Sequence, residues 1–288
     1  MTFIFKKELR SLFGGVRSFA CMTILLILCG IYTVSQNMLR GIPELAPTLM
    51  GTFPAMVVAL PLLSAPLFTA ERQSNAQGLL YSLAIRPVDI ALGKLLAILT
   101  VFALPCILFA ALPILFSSFG QPDMAQAYFS LFGYVLLGVS LLSLSLFLSL
   151  FFKNAYITYA LSAGVLLLLY LLQLFLAKLP LSALFSFLVT LLLLLGVCAW
   201  LLFVVRSLLA ACISLVLPVG STILFIIRPQ LFSALIPGLI AKLNPFSRYV
   251  GFIYGRFDLD GIVFFLSFSV FFVFLTVLTV AYRRDAEI

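Results

Sequence analysis

Glu71, Arg72, Arg86, Asp89 and Lys94 crowd one short segment of a 288-residue chain in which only 9% of residues are charged. Charges gathered between two apolar runs can serve as electrostatic contacts for a partner, or stand as a solvated pair at a helix end. The wider inventory points away from catalysis. The chain has no histidine, so the usual general base and the commonest metal ligand are missing. Its five cysteines, Cys21, Cys29, Cys106, Cys198 and Cys212, all lie in apolar runs and none forms a CxxC pair. They read as small apolar residues. No Ser-His or Cys-His constellation can be assembled, and no GxxxxGK[ST] loop is present to bind ATP. The expectation is a chain without catalytic, cofactor-binding or metal-ligating residues.

The elements that must position the charged segment are membrane helices. The chain is 64% hydrophobic with a mean hydropathy of +1.28, whereas soluble domains carry roughly 45–50% apolar residues and about 25% charged ones. A bilayer core needs about 20 apolar residues per helix. The predicted spans are 18–38, 47–70, 94–117, 127–151, 155–176, 183–205, 207–228 and 261–282. The fold class is therefore all-α polytopic membrane protein, one domain over 1–288 with about eight spans. Six spans plus a re-entrant pair at 183–228 is the alternative. The segment 229–260 is apolar, broken by Pro237 and Pro245, and reads as an extracytoplasmic loop with short helices dipping into the outer leaflet.

Charge orients this arrangement. With an even number of spans both termini share a side. That side carries eleven Lys and Arg residues against six on the other, so the termini are expected to be cytoplasmic. The +8 net charge is spread over span ends and makes no basic patch, which excludes a nucleic-acid surface. Residues 1–16 contain Phe5, Leu9, Leu12 and Phe13 at helical spacing, with Lys6, Lys7 and Arg10 elsewhere. They read as an amphipathic helix in the cytoplasmic interface. No acidic residue falls inside a predicted span, which argues against a proton relay. Gly138, Ser145 and Ser149 line one face of span 127–151, a pattern of close helix packing. Prolines at 54, 61, 66, 105 and 113 predict kinked helices.

The charged segment then falls in a cytoplasmic loop, 71–93. Leu79, Leu80 and Leu83 lie at i, i+1 and i+4 and give a short amphipathic helix one apolar face. Such a helix can rest on the membrane or dock in a partner's groove.

The segment resembles the loop between the second and third spans of type-2 ABC-transporter permeases, in particular the bacterial gliding-motility branch. Pro61-Leu62-Leu63, Leu67-Phe68, Glu71-Arg72, Leu79-Leu80, Ile85 and Leu92-Gly93-Lys94 match that branch without gaps. Ala70, Gly78 and Ala84 depart from it. The "FKKEL" start is similar too, as is the ending with Gly255, Asp258, Leu266-Ser267, Leu275-Thr276 and Arg283-Arg284. The resemblance implies that 71–88 is a coupling helix. It would dock on a cytoplasmic ABC ATPase subunit present in two copies, which would bind the ATP and Mg. It implies pairing with a second or homologous permease in the plasma (inner) membrane, and allows for an extracytoplasmic accessory protein. Glu71, Arg72 and Lys94 would then be electrostatic coupling residues, and Leu79, Leu80 and Leu83 apolar docking residues. A lipid-like or amphipathic substrate, or force transmission alone, suits the acid-free spans. The rival classes are an ATP-independent channel or lipid scramblase, and a membrane assembly factor.

Overall fold

The computed structural model describes residues 2–73, 86–118, 120–176, 187, 191, 222, 225, 238, 241–255 and 258–287. Every regular element among them is helical. In chain order these are α1 (Thr2–Phe13), α2 (Val16–Tyr32), α3 (Leu45–Gly51), α4 (Phe53–Gln73), α5 (Pro87–Phe116), α6 (Met124–Leu148), α7 (Ala155–Leu176) and α8 (Leu259–Glu287), with two short turns, Pro245–Arg248 and Val250–Ile253, before α8. Six helical stretches are long and apolar enough to cross a membrane: Val16–Met38, Phe53–Gln73, Pro87–Phe116, Met124–Leu148, Ala155–Leu174 and Leu259–Arg284. Each overlaps a span read from the sequence. The further spans 183–205 and 207–228 lie outside the described residues apart from isolated positions, as does most of 229–240.

The described residues fall into two compact units. One comprises Met1–Tyr170 with Arg248–Ile288, the other Leu171–Ser247. In the second, the rings of Phe187 and Phe225 stack 4.3 Å apart, and the Phe246 amide donates to Asn244 Oδ1 at 3.0 Å.

In the larger unit, α6 is the central helix, packed by α3, α4, α5 and α8. Its small residues permit this. The ring of Phe102 on α5 occupies the place a side chain at Gly138 would take, with only 2.2 Å left for a Cβ. Phe252 likewise sits over Gly133. The Ser145 hydroxyl on α6 contacts that of Ser64 on α4. The Tyr134 hydroxyl accepts from Thr52 Oγ1 at 2.9 Å, and its ring lies between Phe102 and Phe109, with centroids at 6.2 and 5.9 Å. Small-to-large contacts of this kind let apolar helices associate where lipid offers no hydrophobic driving force. The remaining hydroxyls of α6 turn inward on their own helix. Ser140, Ser143 and Ser149 donate to carbonyls three or four residues back, which satisfies them in an apolar setting.

α2 does not end at Tyr32. It widens into a π turn over Thr33–Met38 and closes on a polar knot. Asn37 donates to the carbonyls of Ile42 at 3.0 Å and Glu44 at 2.6 Å and accepts from Thr48. Gly41, at φ +66°, supplies the left-handed residue the turn requires. Tyr249 is buried and meets Phe53, the first residue of α4, edge-on at 5.2 Å. Burial pushes its hydroxyl pKa above the usual phenol range, so it stays neutral.

Prolines 61 and 66 lie inside α4, and prolines 105 and 113 inside α5; both helices run through them. Outward-facing positions such as Phe19, Ile27, Ile107, Leu108, Ile114 and Phe274 are each more than half exposed, as an apolar belt facing lipid requires.

Candidate functional site

Lys94 sits on the second turn of α5 and is completely buried. The local sequence puts it there. Pro87 holds the first helical position, and Arg86 before it is extended, at φ −70° and ψ 140°, because a residue preceding proline is pushed out of the α region. Asp89 in the first turn complements the helix dipole. From this start the inward stripe runs through Ile90, Ala91, Lys94, Ile98 and Val101, all buried. One member of an apolar stripe is therefore a cation.

An ammonium has three protons to donate, and Lys94 Nζ has three oxygens in reach. Glu71 Oε1 lies at 2.9 Å, Glu8 Oε1 at 3.1 Å and the Leu67 carbonyl at 2.6 Å. The ring of Phe68 adds its face at 4.8 Å. An unpaired buried ammonium costs several kcal/mol or shifts to its neutral form. Here two carboxylates and a carbonyl compensate it.

The three acceptors come from two other elements. Leu67 and Glu71 belong to the last two turns of α4, and Glu8 to the middle of α1. The buried face of α1 is Ile4, Glu8 and Leu12, an i, i+4, i+8 stripe laid along the start of α5. The residues read from the sequence as facing the membrane interface, Phe5, Leu9, Leu12 and Phe13, only partly coincide with this stripe. Phe5 and Leu9 are only half-buried and Phe13 is exposed. The ion pair with Lys94 draws Glu8 inward and sets the rotation of α1. Lys7 completes the group, with Nζ 3.2 Å from Glu71 and 3.8 Å from Glu8. Its side chain is half exposed, so these contacts contribute little. The cluster is two lysines and two glutamates that join α1, α4 and α5 at one point.

Of the expected coupling residues, Glu71 and Lys94 are brought together, and their partners lie within this chain. Arg72 turns elsewhere. Its guanidinium points at the Phe152 carbonyl on the α6–α7 connection, at 3.5 Å, the outer limit of a hydrogen bond. That connection is itself ordered by Asn154, whose side chain accepts from the Tyr156 amide at 2.9 Å and so caps α7. Leu79, Leu80 and Leu83 lie outside the described residues. The sequence reading did not bring Glu8, Lys7 and the Leu67 carbonyl together around Lys94. Glu8 had a signal: it stands four residues from both Ile4 and Leu12, in the middle of an apolar stripe.

Among the described residues no three metal-ligating side chains converge. What the cluster can do is mechanical. It cross-links three helices through short, charge-assisted contacts centred on the buried Lys94 ammonium. Comparison with protein-family models, with curated proteins and with solved structures found no match to this chain.

Proposed function

We propose that this chain is the membrane subunit of an ABC-type exporter, and that 71–93 is the loop through which a separate cytoplasmic ATPase moves it. The observation that carries this reading is the closure of the loop's stem. Glu71 at its entry and Lys94 just past its exit are bound 2.9 Å apart, and both are tied to α1. A docking loop on a floppy stem would absorb a push. A loop whose ends are cross-linked delivers it to α1, α4 and α5 together. The sequence resemblance and the apolar face of Leu79, Leu80 and Leu83 support the same assignment. In this reading α1 lies in the cytoplasmic interface and ATP hydrolysis belongs to the partner. The substrate is lipid-like or amphipathic, or force alone is passed on.

The test is co-purification. The chain would be extracted in mild detergent and its partners identified by mass and by ATP hydrolysis. A stoichiometric ATPase retained by wild type and lost in Leu79→Glu/Leu80→Glu is the expected result. A wild-type chain that purifies without any ATPase, yet still conducts ions or scrambles lipid in liposomes, would replace the exporter with a channel or scramblase.

A further inference from the structure

Beside the charge cluster, a cleft of about 650 Å³ opens between α1, the start of α2 and the end of α4. Its two sides differ in chemistry. Leu12, Val16, Pro66 and Leu67 form an apolar wall. Lys7, Arg17 and Ser18 add cations and a hydroxyl to the same lining. The carboxylates of Glu8 and Glu71 also border the cleft, but each is already engaged by Lys94, at 3.1 and 2.9 Å.

Two independent features mark the polar side as built for an anion. The first is the beginning of α2. Its N-cap is Gly15, which has no side chain to offer, so the first amides of a 17-residue helix are left without intrahelical acceptors. They add the positive end of the helix dipole. The second is Ser18. It is completely buried, and its Oγ has no hydrogen-bond partner. A buried hydroxyl left unpaired is costly, and here it borders the same cleft as the Arg17 guanidinium and the half-exposed Lys7 ammonium, which also lies 3.2 Å from Glu71. Unpaired amides, a hydroxyl and two cations are the donor set that recognises a tetrahedral oxyanion. The apolar wall alongside has nothing to offer a free ion. It suits a hydrocarbon chain attached to one.

We infer that this cleft binds the phosphate of a phospholipid headgroup, with the head on Arg17, Ser18 and Lys7 and the acyl chains leaving along Val16 and Pro66. This does not rest on the exporter reading, since a channel or scramblase could hold the same lipid. It requires only that the start of α2 lie at a membrane surface.

Native mass spectrometry of the delipidated full-length chain in non-ionic detergent tests it. The probes are phosphatidylglycerol, a diacylglycerol with the same acyl chains, and inorganic phosphate. Wild type is expected to retain phosphatidylglycerol and not diacylglycerol. Arg17→Gln and Ser18→Ala should each weaken retention about tenfold, the loss expected for one strong hydrogen bond. Lys6→Gln, which removes an equal charge from α1 outside the cleft, should leave retention unchanged. Ser18→Ala alters no charge and almost no volume, so it decides the matter if Arg17→Gln fails to fold. Displacement of the lipid by millimolar inorganic phosphate would keep the phosphate site and overturn the lipid as its occupant. Equal binding of diacylglycerol, or Ser18→Ala binding like Lys6→Gln, would overturn the site itself.

Discussion

Glu71 and Lys94 are separated by a loop in sequence and by 2.9 Å in space. Glu71 lies in the last turn of α4 and Lys94 in the second turn of α5. With Glu8 bound to the same ammonium at 3.1 Å, the two helix ends are tied by charge at a fully buried cation, where screening by salt is weak. Four predictions follow from this geometry and from the packing above it.

The cluster should be expensive to break and cheap to replace. Lys94→Met alone leaves two partly buried carboxylates without their cation. A loss of about 3–5 kcal/mol is expected, which lowers the melting temperature on the order of 10 °C. Glu8→Gln/Glu71→Gln/Lys94→Met removes all three charges at once and should recover most of that loss. Far-UV circular dichroism melts in detergent measure both. A triple variant no more stable than the single one would mean that the charges are not acting on each other.

Grip and transmission should separate. Leu79→Glu/Leu80→Glu is expected to shed the ATPase, because burying each leucine is worth roughly 1.5–3 kcal/mol. Glu71→Gln/Lys94→Met should keep the ATPase bound, while its hydrolysis no longer responds to substrate. Arg72→Glu should do least, since an exposed ion pair is worth about 0–1 kcal/mol. Pull-down stoichiometry and ATPase rates on the same samples distinguish the three. Normal coupling in Glu71→Gln/Lys94→Met would show that the stem plays no part.

Orientation can be read by labelling. In a background with all five cysteines replaced, single cysteines would be introduced as Ser11→Cys, Pro122→Cys and Asp258→Cys. An impermeant thiol reagent should reach the second and third in intact cells, and the first only after lysis. The charge asymmetry requires this, and labelling of position 11 from outside would invert the topology.

Two glycines should respond in opposite ways to the same change. At Gly138 a new Cβ would meet the Phe102 ring at 2.2 Å, whereas at Gly164 nothing lies within 4 Å. Gly138→Ala should destabilise by about 1–3 kcal/mol through overpacking. Gly164→Ala should be neutral, or stabilise by roughly 0.5–1 kcal/mol through helix propensity. Thermal melts of the two variants side by side suffice, and equal behaviour would argue against tight packing of α5 on α6.

The six apolar stretches were legible because each needs only composition and length, and a bilayer enforces both. The packing role of Gly138 was legible for a similar reason: a small residue on a helix face has few other uses in lipid. The charge cluster was not. A lysine at the end of an apolar run reads as a positive-inside flank, and nothing local says that Glu8, 86 positions away, will reach it. The start of α5 at Pro87 moves Lys94 from the helix end to its second turn, and that shift turns a flank into a core residue. The side of α1 that packs on the bundle was not legible for the same reason: a partner on another helix brings Glu8 in beside Ile4 and Leu12.

The composition of the cluster has an electrical consequence. Each elementary charge carried through a membrane potential does work of about 2.3 kcal/mol per 100 mV. Lys7, Glu8, Glu71 and Lys94 hold two charges of each sign within a few ångströms, so their sum is zero. A displacement of the whole group along the membrane normal therefore moves almost no net charge through the field. A stem built on one unpaired lysine would have made its motion a voltage sensor. This quartet, taken by itself, would add no such voltage dependence to a displacement.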